Sequence, residues 1–565
     1  MNIRRLLTRS DDAATPVLLP ILLAATLAMV GAVAIIGLTD SDWADVGAVA
    51  LLLGTVGLVL GAIRRQLRDG EPDGDIGRSD DPRGVRAIRS RLVTAENRKW
   101  WTLVAVGFGL FMIMLDNTVV NVALPTIQRD LGAKLSELEW IVSGYALTFA
   151  ALMLTGGKLA DLFGRRRLFV IGLAVFSGAS LACALAPSPG FLIGARVVQG
   201  VGAALMNPAT LSIISAAFPP RQRGTAIGIW AGVAALALAI GPLVGGLLTE
   251  HVGWSAIFYI NVPIGVLAIV ASFLLIDESR DTSEGQRPDV PGLVSSGAGM
   301  FAVTYALIEA NAYGWGSARI LGAFALAAAA AALFVVLERH QRAPMLDLGL
   351  FRNRTFAGAN LLLLLVALAL FGVFFFLSLY MQNILGYSPV KAGAAFLPMT
   401  VLIMVVAPLA GRMSDRSGSR WLLTGGMTLV AAQLLYFSRL GVDESFWSLV
   451  PGMLLGGAGM GAAMAPATAA GLSGVAVDKA GVGSAVLNSS RQLGGSIGVA
   501  LMGAIMTHEI GGRSTPTAFV HALSVSLEVG AAIALAGALV AVVLVRPHVE
   551  PGPLSFPASG AEAPA

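Results

Sequence analysis

Apolar runs long enough to cross a bilayer recur along the whole chain, and charged residues are confined largely to the stretches between them. A membrane helix needs about 20 mostly apolar residues. Sixteen segments meet that need, grouped as two, six, two and six. The first pair lies near 17–38 and 46–63. Six follow near 101–124, 138–160, 168–187, 191–217, 224–248 and 256–276. Two lie near 291–311 and 318–337, and the last six near 355–385, 391–411, 420–438, 445–472, 480–507 and 519–545. A chain built this way exposes large sticky patches in water, so lipid is its solvent and an all-α integral membrane fold is expected. Of the 565 residues only 13% are charged, against roughly a quarter in soluble domains.

Basic residues orient the spans. With the N-terminus placed inside, six (Arg129, Lys134, Arg319, Lys391, Arg439 and Arg513) fall outside, and Arg196 and Arg491 fall within spans. The remaining 30 of 38 face the cytoplasm, as the positive-inside bias requires. The net charge of +4 therefore reflects cytoplasmic loops rather than a nucleic-acid partner. Both termini are expected in the cytoplasm. Arg4, Arg5 and Arg9 precede an apolar stretch of about 23 residues, longer than the core of a signal peptide, so an uncleaved span is expected there. The lone Cys183 and five histidines without an HExxH pair offer no disulfide framework, metal set or cofactor site.

The chain accordingly divides into a two-span extension (1–63), a charged cytoplasmic linker (64–99), a first six-helix bundle (100–276) and a linker with two further spans (277–350). A second six-helix bundle (351–546) and a Pro/Ala/Gly tail (547–565), expected to be disordered, complete it.

The loops and spans carry motifs in a fixed order. Residues 115–125 read Leu-Asp-Asn-Thr-Val-Val-Asn-Val-Ala-Leu-Pro. Gly157-Lys-Leu-Ala-Asp161-Leu-Phe-Gly164-Arg165-Arg166-Arg167 follows the second core span. Arg196-Val-Val-Gln199-Gly200 lies in the fourth, Gly241-Pro242-Leu-Val-Gly245-Gly246 in the fifth and Asn261-Val-Pro263 in the sixth. The second half has Gly411-Arg-Met-Ser-Asp415-Arg416-Ser-Gly418 and Asn488-Ser-Ser-Arg491-Gln492. Together these resemble the major facilitator superfamily, and within it the fourteen-span drug:proton antiporters of the EmrB/QacA type, over about 100–546. Leu162, Ala237 and Ser255 depart from the family pattern, and the first two spans have no counterpart in it. The resemblance implies two six-helix bundles, export of drug-like molecules by alternating access, and exchange for protons.

Asp116 lies about 15 residues into its span, about 23 Å from the inner end at 1.5 Å per residue. A carboxylate at that depth is costly unless protonated, paired or wetted by a cavity. The resemblance implies proton coupling for it; a packing role with Asn117 or Asn121 is the alternative. Arg196, a candidate cationic partner, cannot shed its proton, so it must find an anion, a carbonyl or water. The resemblance implies that it influences proton transfer, and snorkelling to the outer surface is the alternative. Glu528 is a further membrane acid with a candidate coupling role. At the cytoplasmic face, Gly157, Asp161, Gly164 and Arg165 suit a gate: Asp161 against a neighbouring helix N-terminus, Arg165 paired with a carboxylate across the bundle. Asp415, Asn488, Arg491 and Gln492 are its expected counterpart in the second half. The arginine cluster also anchors topology, and Asn488 to Gln492 equally suits a structural network. Gly241, Pro242, Gly245 and Gly246 permit close helix approach, and by resemblance mark proton antiport. Trp140, Tyr145 and Asn121 are candidate cavity residues between the halves.

An ATP-driven pump needs a GxxxxGK[ST] loop, and the only Gly-Lys pair, Gly157-Lys158, is followed by Leu159. An enzyme is not expected. A non-transporting sensor is the alternative class, and an exporter dedicated to a lipid, siderophore or secondary metabolite the alternative substrate range. A multi-pass, monomeric protein of the bacterial plasma membrane is expected, with a small molecule and protons as its partners.

Overall fold

A computed structural model describes residues 97–279, 289–341, 346–473, 475, 480–513 and 515–545. The expected spans near 17–38 and 46–63, the linker up to 96, and the tail at 547–565 lie outside the described residues.

Every regular element among the described residues is helical. Lipid imposes this, because a spanning backbone must satisfy its own hydrogen bonds. The first six helices are α1 (Arg98–Leu131), α2 (Leu135–Phe163), α3 (Arg165–Ala184), α4 (Pro189–Ala217), α5 (Pro220–His251) and α6 (Ala256–Leu275). Then come α7 (Val290–Tyr313) and α8 (Ala318–His340). The last six are α9 (Arg354–Ile384), α10 (Pro389–Ser414), α11 (Arg420–Phe437), α12 (Phe446–Ser473), α13 (Ala480–Ile510) and α14 (Pro516–Leu544). Thirteen of these are long and apolar enough to cross a membrane. The other is α11, whose 18 residues include Arg420 and Gln433.

Helix starts are set locally. Ser188, Ser388 and Thr515 each precede a proline at the first helical position and accept a backbone N–H three residues on. That combines a capping oxygen with a residue whose missing N–H costs nothing there. Asp289 caps α7 in the same manner, accepting from the Gly292 amide at 2.8 Å.

In the first bundle α4 packs against both α2 and α3. In the second, α9 packs on α13, α12 on α10 and α11, and α11 on α14. Most of the packing between the bundles is made by two pairs, α2 with α13 and α5 with α10. The inserted helix α7 lies along α2 and α13 at once, with α8 behind it. Only 11% of the most apolar window of α8 is buried, which suits a helix facing lipid. Residues 97–105 and Ala271–Ile276 belong to a small unit, within which the Thr102 hydroxyl donates to the Leu275 carbonyl (3.0 Å).

Candidate functional site

Five helical segments of the first bundle converge on Asp116. Its carboxylate accepts from Arg196 Nη1 at 2.5 Å and from Gln199 Nε2 at 2.9 Å. Arg196 and Gln199 are three apart on α4 and share a face. Gln199 closes the triangle by accepting from Arg196 Nη1 (2.6 Å), and it donates to Ser180 Oγ of α3 at 2.8 Å. Asn261, at the sixth helix, also reaches Ser180 (3.4 Å). The α2 carbonyl of Ile141 accepts from Arg196 Nε at 3.1 Å. The guanidinium lies 4.2 Å from the ring centroid of Tyr145 and 5.8 Å from that of Phe258. Asp116 is 0% and Arg196 1% exposed, so the pair is dry.

This geometry separates readings that the amino acids left open. Arg196 does not snorkel; it turns inward to Asp116. Asn117 and Asn121 do not hold Asp116: their amides donate to the carbonyls of Ile113 (2.8 Å) and Asn117 (3.2 Å) on their own helix. Asn121 is buried, with its side-chain oxygen unpartnered.

The glycines of α5 serve two neighbours. A methyl group at Gly241 would strike Thr118 of α1, and one at Gly245 would meet Val119 Cα at 2.9 Å, two and three residues beyond Asp116. A methyl group at Gly246 would lie 2.5 Å from the Pro389 carbonyl oxygen of α10, and the Pro242 carbonyl in turn leaves no room for a side chain at Gly393. The Glu250 carboxylate accepts the Val390 amide at 2.7 Å. Across the bundles, Gln382 of α9 donates to the Val122 carbonyl of α1 at 2.8 Å. Toward the other ends of α5 and α10 the glycines are not in close contact: a methyl group at Gly228, Gly232 or Gly411 would meet nothing within 4 Å.

The loop gate corrects an expectation. Arg165 does not reach a carboxylate across the bundle; its Nε donates to Asp161 Oδ1, one turn earlier, at 2.8 Å. Nor does Asp161 cap a helix. Glu278 takes that place, accepting the backbone amides of Arg166 (3.1 Å) and Arg167 (3.2 Å) at the positive end of α3. The cause is Gly164, whose φ of +110° ends α2 and opens α3 with no intervening residue. Asp161 is thereby held beside Arg165 and short of the α3 amides. Glu278 fits because Gly164 has no side chain; a Cβ there would lie 2.7 Å from the carboxylate carbon. A methyl group at Gly157 would lie 3.2 Å from Pro208 Cβ of α4.

The expected counterpart in the second bundle does not join this loop. Asn488 donates to the Ser484 carbonyl of its own helix (3.1 Å), while Arg491 Nε and Gln492 Nε2 are buried without partners. The Asp415 side chain lies outside the described residues. Glu528 is exposed on α14, far in partnership from Asp116: it makes no ion pair or hydrogen bond among the described residues. Trp140 lies against α7, its ring tilted to those of Phe301 and Tyr305 and its Nε1 donating to Glu309 (3.1 Å), and packs on a cluster of Leu307, Ile308 and Ala500. Tyr145 belongs to the Arg196 cluster. Gln199, Ser180, Glu250 and Glu278 are the residues that sequence reasoning left out of the site. Only Gln199 carried a signal, its three-residue spacing from Arg196.

The sequence pattern of the Major Facilitator Superfamily matches residues 106–499. The chain belongs to the Major Facilitator Superfamily. Within it, the chain is 38% identical over 432 residues to the tetracenomycin C resistance and export protein of Streptomyces glaucescens, covering 76% of this chain and 80% of that protein. It is 38% identical over 467 residues to the puromycin resistance protein pur8 of Streptomyces alboniger, covering 80% and 92%. The multidrug resistance protein Stp of Mycobacterium tuberculosis is 37% identical over 408 residues, covering 72% and 75%. The chain is thus a multi-pass membrane protein of a bacterial major facilitator type, and its substrate is a small molecule.

Proposed function

We propose that this chain exports drug-like, largely apolar molecules from the cell in exchange for protons, by rocking its two six-helix bundles about a cavity between them. The observation that carries this reading is the dry Asp116–Arg196–Gln199 cluster. Taking one partner from a buried ion pair costs ~3–5 kcal/mol because a lone charge remains. Here Arg196 keeps other acceptors when Asp116 is neutralised: the Ile141 carbonyl, the Gln199 oxygen and the Tyr145 ring face. A proton on Asp116 therefore loosens α1 from α4 without stranding the guanidinium. Thr118 and Val119, just beyond Asp116, lie against the α5 glycines, and α5 also meets α10. Movement at Asp116 has a short mechanical route to the bundle interface.

With both termini in the cytoplasm of the bacterial plasma membrane, the closely packed end of α5 and α10 faces outward, and we read the end with the uncrowded glycines, facing inward, as the open one. The arrangement is then an inward-open state, ready to load substrate from the cell interior. The protein acts as a monomeric transporter rather than an enzyme. Relatives named for resistance to tetracenomycin C, puromycin and methylenomycin A favour antibiotics and similar lipophilic compounds as cargo. They also favour a second reading in which a single secondary metabolite is the dedicated substrate.

The test is ethidium or puromycin uptake into inverted membrane vesicles under an imposed pH gradient. Uptake that collapses with nigericin, and is missing from Asp116→Asn vesicles, is expected. Uptake at the same rate without the gradient would make the protein a facilitator, and no uptake of any member of an antibiotic panel would favour a sensor.

A further inference from the structure

α2 presents a second polar surface, turned away from the Asp116 cluster. Ile141 and Tyr145 meet Arg196, whereas Glu139 and Ser143, each two residues earlier, lie about 200° around the helix. Glu139 is 2% exposed. It occupies a notch in α13, where a methyl group at Gly503 would collide with its carboxyl group. The neighbouring Trp140 binds Glu309 of α7, which brings Glu309 within electrostatic reach of Glu139.

No cation pairs with Glu139 or Glu309 among the described residues. From α7 the facing ionisable groups are Glu309 and Tyr305. From α8 comes Arg319, engaged with the rings of Tyr305 (5.4 Å) and Tyr313 (3.8 Å). From α13 there is glycine at the contact, with His508 and Glu509 only at the helix end. On α2 itself Glu137 is turned to the Lys134 amide (2.8 Å). Ser143 Oγ, Thr304 Oγ1, Tyr305 OH and Ser496 Oγ, on the three helices of this seam, are buried without hydrogen-bond partners. Ser143, Thr304 and Ser496 are fully buried.

A fully buried carboxylate beside a second, part-buried one resists ionisation. A carboxylic acid there gains a donor that the second carboxylate or an orphaned hydroxyl accepts. We propose that Glu139 and Glu309 form a proton-binding carboxyl pair, Glu139 holding the proton, at the seam where α7 meets both bundles. The site is distinct from Asp116, and only its use in a transport cycle rests on the antiport reading. With the proton bound, Glu139 and Glu309 attract and α7 stays against α2. Without it, two anions repel across the seam that joins the bundles. The inserted pair α7–α8 thereby becomes a working part of the machine rather than a lipid-facing appendage.

The test is infrared spectroscopy of the purified full chain in phosphatidylethanolamine/phosphatidylglycerol nanodiscs, titrated through neutral pH. A carbonyl band from a protonated, water-shielded carboxyl is expected at neutral pH in the wild type. It should be lost in Glu139→Gln, retained in Asp116→Asn, and moved in frequency by Glu309→Gln and by Gly503→Ala. A wild type without the band, or a band that survives Glu139→Gln, overturns the proposal. Should Glu139→Gln not fold by size-exclusion profile, an unmoved band in Glu309→Gln overturns it equally. Failure of the Asp116 reading shows separately, as proton-coupled transport by Asp116→Asn with the Glu139 band intact.

Discussion

The two polar faces of α2 are built on opposite principles. On one, Asp116, Arg196, Gln199 and Ser180 satisfy one another, and the Ile141 carbonyl and Tyr145 ring complete the shell. On the other, Glu139 is buried within electrostatic reach of Glu309, neither makes an ion pair among the described residues, and Ser143, Thr304 and Ser496 have buried hydroxyls without a hydrogen-bond partner. A closed network holds one arrangement firmly, and changing its charge means rearranging several groups together. An open one is poised for an added proton or donor. One helix thus carries a satisfied site toward its own bundle and an unsatisfied one toward the partner bundle and the inserted pair.

This contrast predicts graded consequences. The largest follows from Arg196→Met, which strands Asp116 as a lone buried anion and should cost ~3–5 kcal/mol. Thermal unfolding in detergent should show it as a large drop in melting temperature, mostly recovered in the double variant with Asp116→Asn. Equal melting of the single and double variants would mean that the pair does not carry the cluster. Gln199→Leu removes the bridge and leaves Asp116 and Ser180 short of a donor, for about 1–3 kcal/mol by the same measurement.

The sharpest comparison is between two serines. Ser180→Ala deletes an acceptor that Gln199 and Asn261 both use and should cost about 0.5–1.5 kcal/mol. Ser143→Ala deletes a hydroxyl with no partner and should leave the melting temperature unchanged or raise it. If both serines behave alike, the distinction between the two faces fails. Least of all, Arg165→Ala breaks a part-exposed pair within one turn, worth about 0.2–1 kcal/mol. Its effect should appear in transport rate under high salt more weakly than at low salt.

How much of this was legible follows from where charge stands out. Asp116 and Arg196 were readable because an ionised group inside an apolar run is costly, whatever surrounds it. Their pairing was not, because the partners lie 80 residues apart and helix packing alone brings them together. Glu139 was missed for the opposite reason. It sits in Leu135-Ser-Glu-Leu-Glu139, where acids at a helix start normally face water and the positive dipole end. Only the notch at Gly503 and the position of α7 turn it inward. Glu278 was likewise unremarkable until the sharp turn at Gly164 exposed the α3 amides to it. The fourteen expected spans that fall within the described residues each coincide with a helix, because length and hydropathy mark a membrane helix. The ends were less legible: α1 runs on to Leu131, and α11 is not apolar enough to count by composition.

The central claim is that Asp116, through Arg196, is where substrate and proton movements are exchanged. Its most direct test loads proteoliposomes of the purified chain with a pH-sensitive dye and follows lumenal pH while ethidium moves down an imposed gradient. Wild-type protein should move protons opposite to ethidium, whereas Asp116→Asn should let ethidium equilibrate with no accompanying proton flux. Proton counterflow in Asp116→Asn at the wild-type ratio to ethidium would contradict the account.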